Sequence, residues 1–167
     1  MTVLETERLC LRHLAEDDAP FILELVNDPD WLRFIGDRGV RTLDDARAYI
    51  LNGPVASYAR HGFGLYLAEL RDGRAPVGMC GLLKRDWLDD VDVGFAFLAR
   101  FRGKGLAHEA ARATLDYGTG ALGLGRIAAI VSPENAGSMR LLEKLGMRFR
   151  RMALPPDAEQ EVCVYAT

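Results

Sequence analysis

The 167-residue sequence predicts an α/β fold on one mixed, mostly antiparallel sheet with a single parallel strand pair and helices on both faces. Three observations carry this prediction. An Asp-Gly turn joins two apolar runs, which marks an antiparallel hairpin. A strand–helix–strand unit covers residues 91–131, and such a unit sets its strands parallel through a right-handed crossover. Apolar residues make up 49% and charged residues 27%, an ordinary globular composition, so residues 1–167 read as a single domain with its own core.

The elements follow in order. Arg8-Leu9-Cys10-Leu11-Arg12-His13-Leu14 alternates loosely like a strand. Glu16-Asp17-Asp18 then favours a helix start, Phe21, Ile22, Leu25 and Val26 recur at helical spacing, and Asn27-Asp28-Pro29 stops the helix. Thr42-Leu43-Asp44-Asp45 is a cap with acids in the first turn of a second helix, which continues past Pro54 to Tyr58. Residues 63–70 and 76–84 are the hairpin strands around Arg71-Asp72-Gly73-Arg74. Val91, Val93, Phe95 and Phe97 alternate with small or acidic residues as a half-buried strand. Residues 105–121 form an Ala-rich helix that ends at Gly118, Gly120 and Gly123. A short strand over 126–131, a helix over 136–145 and strands over 147–150 and 161–166 complete the chain.

Composition excludes several roles. Twenty-one basic against 24 acidic residues give a net charge of −3, which argues against a nucleic-acid binder, since that would need a basic excess. No apolar run reaches the ~18–20 residues that cross a bilayer, so no membrane role is expected. The first residues lack a basic-then-apolar leader. Cys10, Cys80 and Cys163 lie far apart inside apolar stretches, without metal-type or redox-type spacing; they read as buried thiols of a reducing, cytoplasmic compartment.

The segment that carries chemistry is Arg102-Gly103-Lys104-Gly105-Leu106-Ala107, between the 91–97 strand and the following helix. Gly103 and Gly105 remove side chains where the chain turns, so backbone N–H groups converge at the positive end of a helix dipole. Such a place suits a phosphate or a diphosphate; a plain glycine turn is the other reading. The loop does not fit the Gly-Lys-Ser/Thr phosphate pattern. Gly118-Thr119-Gly120-Ala121-Leu122-Gly123 matches the dinucleotide fingerprint literally, but it follows a helix and precedes a strand, the reverse of what that mechanism needs.

Arg102-x-x-Gly105-x-Ala107 resembles the Arg/Gln-x-x-Gly-x-Gly/Ala signature of the GNAT acetyltransferases. Asp92-Val93-Gly94-Phe95 resembles the family's Glu-Leu-Gly-Tyr strand. Asn135-Ala136-Gly137-Ser138 and Leu142-Glu143-Lys144-Leu145-Gly146-Met147 resemble its Asn-x-x-Ala/Ser…Tyr-Glu-Lys-Leu-Gly-Phe helix. Thr6-Glu7-Arg8-Leu9-Cys10-Leu11-Arg12 resembles the opening of the branch that includes the ribosomal-protein-alanine acetyltransferases. The resemblance covers nearly the whole chain.

It implies acetyl-CoA as co-substrate, lying where the 91–97 strand splays from the 126–131 strand, and no metal. Backbone groups of Phe97 and Ala99 would pair with the pantetheine. The diphosphate would rest on the N–H groups of Gly103, Lys104, Gly105, Leu106 and Ala107, with Arg102 and Lys104 adding attraction or standing as solvated charges. Asn135 and Ser138 would face the pantetheine and its sulfur; Asn135 also reads as a helix cap. The reaction implied is direct acetyl transfer to an amine. Leu142 stands where many members carry the Tyr that protonates the leaving thiolate, so Ser138 takes that role in this reading, and Asp92 is the candidate base, a solvated strand position being the alternative. His108 shapes the loop.

For the acceptor, the acidic, aromatic link Asn27–Arg38, joined by Trp87 amid Asp86, Asp89 and Asp90, suits a cationic amine. A solvated loop with Trp31 in the core is the other reading. The branch implies a protein N-terminal amine, small amines stay open, and the family leaves a homodimer open. Arg148, Arg150 and Arg151 read as a solvated strand face. A CoA-binding sensor without transferase activity is the rival reading, supported by Leu142 alone.

Overall fold

Gly73 takes φ +81 and Arg74 φ 57, closing the Asp-Gly turn and setting β3 (Leu65–Leu70) antiparallel to β4 (Pro76–Leu83). The computed structural model describes all 167 residues. Around this hairpin lie β1 (Thr2–Glu5), β2 (Leu9–Arg12), β5 (Asp92–Phe97), β6 (Ala128–Val131), β7 (Arg148–Ala153) and β8 (Val162–Ala166). They form one eight-stranded sheet in the order β1-β2-β3-β4-β5-β6-β8-β7. Every neighbouring pair is antiparallel except β5 and β6.

Helices cover both faces. On one face, α5 (Leu106–Thr119) and α6 (Ala136–Lys144) press Leu106, Ala110, Leu115 and Leu142 onto Tyr66, Cys80, Val93, Phe97 and Ala129. On the other, α1 (Ala19–Leu25) and α3 (Leu43–Ile50) pack Ile22, Leu25, Ala46 and Ile50 on Leu67, Met79 and Ala96. Side chains along β5 therefore alternate between two apolar layers, Val93 and Phe97 to one and Ala96 to the other. All three cysteines are free and buried, as their apolar surroundings predict. Strand β7 is exposed along nearly its whole length, so Arg148, Arg150 and Arg151 are solvated.

Local chemistry explains the helix starts. Thr42 Oγ1 accepts the Asp45 N–H at 3.0 Å and Asp45 accepts the Thr42 N–H at 3.2 Å, a reciprocal capping box. The continuation past Pro54 runs through a π turn at Leu51–Val55 and then α4 (Ala56–His61), the wider turn accommodating a residue without an N–H. Two elements escape the sequence pattern. Asn27-Asp28-Pro29 ends α1, yet Pro29 is also the first residue of α2 (Pro29–Phe34), with Asp28 as its cap, accepting the Asp30 N–H at 3.1 Å. Strand β1 is a short edge strand without apolar alternation, recognised only by its pairing with β2. No helix is long and apolar enough to cross a membrane.

Candidate functional site

Strands β5 and β6 share one register pair, Asp92 with Ala128, where the Val91 carbonyl accepts the Ala128 N–H at 2.9 Å. Beyond it the two strands have no common register. The opposite edge of β5 stays paired with β4 from Leu83–Asp92 to Gly78–Phe97, and Leu98 N–H continues to the Val77 carbonyl at 3.0 Å. That last bond fixes the phase: even-numbered residues turn their backbone groups to β4, odd-numbered ones away from it. The backbone of Phe95 and Phe97 thus faces the opening between β5 and β6, outside the ladder. The Phe97 carbonyl is taken by Arg102 Nε at 2.8 Å. The Ala99 carbonyl is taken by the Arg102 N–H at 3.1 Å, inside the turn Ala99–Phe101. Phe95, which sequence reasoning did not single out, faces the same opening by strand phase.

The turn delivers the chain to Gly103, φ +75, and Gly105, φ +79. A side chain there would be strained; a Cβ on Gly103 would meet nothing within 4 Å, and one on Gly105 only Arg8 Nη2 at 3.4 Å. Gly105 caps α5 without a side chain, so the first N–H groups of α5 have no partner within the helix. Convergent N–H groups at a helix N-terminus can hold a diphosphate. Its two cations differ. Lys104 is exposed, makes no ion pair and leans on the Phe101 ring at 5.9 Å. Arg102 is held away by Asp28 at 2.9 Å and Asp30 at 2.5 Å.

At the start of α6, Asn135 Oδ1 accepts the Ser138 backbone N–H at 3.2 Å, so Asn135 is the cap its sequence position predicts. The half-buried Ser138 contributes its N–H to that cap and keeps its hydroxyl free of it. One turn on, Leu142 is 1% exposed and sits in the main core, an apolar side chain with no proton to give.

Asp92 departs from the solvated alternative: its side chain is 1% exposed. Burial pushes its carboxyl above the ordinary value, opposed by Arg85 and Lys84. Oδ1 accepts Arg85 Nε at 3.0 Å; Oδ2 is buried without a partner. Asp92, Gly94 and Ala96 share a face of β5, a carboxylate followed by two of the smallest residues.

The acidic link does not present free carboxylates to a cationic amine. Asp28 and Asp30 pair with Arg102, and Asp37 pairs with Arg41 at 2.5 Å. Asp90 faces Arg126 at 3.7 Å. Trp31 is buried in the α1–α3 layer, and the half-buried Trp87 packs on Leu88, Ala128 and Val164. Asp28 and Asp30 thus tie α2 to Arg102 at the head of the loop, while Asp86 and Asp89, also part of that expectation, make no ion pair.

Sequence reasoning also missed a contact between the N-terminal hairpin and the loop. Arg8 Nε donates to Glu109 Oε1 at 2.8 Å, and Arg8 Nη1 donates to the Lys104 carbonyl at 2.8 Å. Glu109 Oε2 accepts from the Arg8 N–H at 2.9 Å and from the Thr6 hydroxyl at 2.5 Å. Burial raises the Glu109 carboxyl, but these bonds outweigh it and leave it below the ordinary value. The partners lie about a hundred positions apart, so no local pattern announces them. His108 lies with them along a shallow groove on α5.

A mixed sheet split at its one parallel pair thus lies beside a glycine-flanked helix start. The structure of the acetyltransferase from Agrobacterium tumefaciens is similar with a TM-score of 0.84 at 27% identity, covering 100% of this chain and 94% of that one. RimL, a ribosomal alpha-N-protein acetyltransferase solved in complex with coenzyme A, shares the fold with a TM-score of 0.84 at 15% identity, over 100% of this chain and 97% of that one. The N-acetyltransferase YnaD of Bacillus subtilis is 30% identical over 159 residues, 93% of this chain and 90% of its own length. The family model described as acetyltransferase (GNAT) domain matches residues 8–148. The chain belongs to the GNAT acetyltransferase family and is an N-acetyltransferase.

Proposed function

We propose that the chain moves the acetyl group of acetyl-CoA directly to a primary amine, on a polypeptide N-terminus or a small molecule. The observation that carries this is the unpaired inner edge of β5 leading into the bare N–H groups of residues 103–107. The pantetheine amides pair with the backbone of Phe97, with Phe95 beside it, as an added strand would, and the edge ends before Ala99, which starts the turn. Binding there requires Arg102 to yield the Phe97 carbonyl or to share it. The diphosphate rests on Gly103, Lys104, Gly105, Leu106 and Ala107, with the Lys104 ammonium above it.

The amine approaches along residues 94–96, a half-buried stretch of β5. Its nitrogen lone pair forms the C–N bond with the thioester carbon, and the carbonyl electrons move to oxygen. A cleft-facing N–H of β5 stabilises that oxyanion; one such donor is worth about 2.7–4 kcal/mol in other enzymes. Asp92 accepts the amine proton, directly or through water. Collapse of the intermediate breaks the C–S bond, and the Ser138 hydroxyl protonates the thiolate and recovers its proton from solvent. The products are the acetamide and free coenzyme A.

The test uses two measurements. Acetyl-CoA is added and thermal stabilisation is read; then free thiol is followed with a panel of N-terminal peptides, polyamines and neutral amines. Stabilisation with amine-dependent thiol release is expected. Stabilisation without release for any amine would support a sensor instead, and no stabilisation would overturn both.

A further inference from the structure

The pairing of Arg8 with Glu109 and the Lys104 carbonyl joins the N-terminal hairpin to the loop that turns into α5. Glu109 presents a difficulty for an anion site. It lies in the first turn of α5, where its charge would repel a diphosphate resting on the preceding N–H groups. The surrounding bonds remove that difficulty. Both carboxylate oxygens are occupied, by Arg8 Nε on one and by the Arg8 N–H and the Thr6 hydroxyl on the other. The same guanidinium reaches across to the Lys104 carbonyl, which turns this acceptor toward the hairpin. In a planar trans peptide the carbonyl and the N–H point opposite ways, so this bond turns the Gly105 N–H away from the hairpin. Gly105 fits beneath the arginine: a Cβ there would lie 3.4 Å from Arg8 Nη2.

We infer that Arg8 is a positioning residue for acetyl-CoA, cancelling the Glu109 charge and fixing the 103–107 loop with its N–H groups presented to the diphosphate. The inference rests on the acetyl-CoA reading above. Arg8 touches no reacting atom, so its loss moves cofactor binding and leaves the chemical step alone. The guanidinium serves two acceptors at once; a lysine ammonium on a single stem can reach one of them.

The experiment measures three quantities for the full chain, Arg8→Ala and Arg8→Lys. These are the Kd of coenzyme A by calorimetry, the steady-state constants, and amide hydrogen exchange without coenzyme A. For Arg8→Ala the Kd and the KM for acetyl-CoA rise at least tenfold, kcat stays within about threefold, and exchange quickens at the Glu109 N–H, which bonds the Gly105 carbonyl, but not in β3, β4 or α3. Arg8→Lys restores part of the affinity. Arg8→Ala/Glu109→Gln recovers the share due to charge while the amide at position 109 still exchanges fast. Unchanged affinity and exchange in Arg8→Ala would overturn the inference. So would exchange that quickens evenly along the chain with kcat falling as KM holds, the sign of a merely structural bond. Failure of the acetyl-CoA reading looks different: the unaltered protein would then give no heat with coenzyme A.

Discussion

Asp92 accepts a hydrogen bond from Arg85 Nε at 3.0 Å on one carboxylate oxygen, while the other is buried against no donor at all. A half-satisfied carboxylate in a side chain 1% exposed is an unfavourable arrangement for a strand that needs only to pack. Such groups concentrate where a proton has to be taken or held. Arg85 is 29% exposed on its side chain, so the pair is open to water at one end and closed at the other.

The raised carboxyl of Asp92 has a signed consequence for stability. The folded state holds the Asp92 proton to higher pH than the unfolded chain, so it binds more protons between the two values. Stability from this group is therefore greatest in acid and declines as pH rises through the folded value. Asp92→Asn removes that decline. The difference in Tm between Asp92→Asn and the unaltered protein should move in favour of the variant as pH rises from about 4, the ordinary carboxylate range. Thermal scans across pH check this; a difference constant with pH would mean Asp92 is ionised throughout. The same variant should lose about 10²–10⁴ in kcat, the usual worth of a positioned base, with the KM for acetyl-CoA unchanged. Its rate should also lack the rising limb that the Asp92 ionisation gives the unaltered protein.

Much of this fold is legible in the sequence because the signals are local. The Asp72-Gly73 turn, the Thr42 cap and the alternation of Val93, Phe95 and Phe97 are each set within a few residues. The turn at 103–105 is legible for the same reason, since its two glycines both take positive φ. What stays hidden is long-range. Pro29 reads as a stop because the residue that ends one helix is also the one that starts the next. Asp28 and Asp30 read as free acids because their partner, Arg102, comes from a distant part of the chain. Asp92 reads as a candidate base or a solvated strand position, since alternation gives a face and not what covers it.

Ser138→Ala separates a proton donor from a structural hydroxyl. The helix cap uses the backbone N–H of Ser138, which alanine keeps, and alanine favours a helix by roughly 0.5 kcal/mol. Folding stability should therefore hold or rise slightly. Turnover should fall at least tenfold, about 1.4 kcal/mol of barrier, while coenzyme A binds as before. Calorimetric titration beside steady-state kinetics reads both, and unaltered turnover would remove Ser138 from the reaction.

Leu142→Tyr tests whether the family's usual hydroxyl can be restored at its usual place. Leu142 is 1% exposed among tightly packed apolar neighbours, and forcing in a ring should destabilise the chain by about 1–3 kcal/mol. No gain in kcat should follow, because the side chain belongs to the core. Denaturant unfolding gives the first quantity and thiol release the second; a faster enzyme of normal stability would show that the pocket accepts a phenol.

Gly105→Ala isolates the loop geometry from general strain, given a suitable control. At φ +79 a Cβ costs about 1–2 kcal/mol, and here it also approaches Arg8 Nη2 at 3.4 Å. Gly146 has a similar conformation, φ +85, at the end of α6 with nothing within 4 Å of an added Cβ. Gly146→Ala should therefore lose comparable stability and leave the acetyl-CoA KM within twofold. Gly105→Ala should lose that stability and raise the KM severalfold, because the strain falls on the peptide units whose N–H groups face the diphosphate. Thermal unfolding of both variants fixes the shared cost, and the kinetic constants then read what remains. Equal KM changes in the two would locate diphosphate binding somewhere other than residues 103–107.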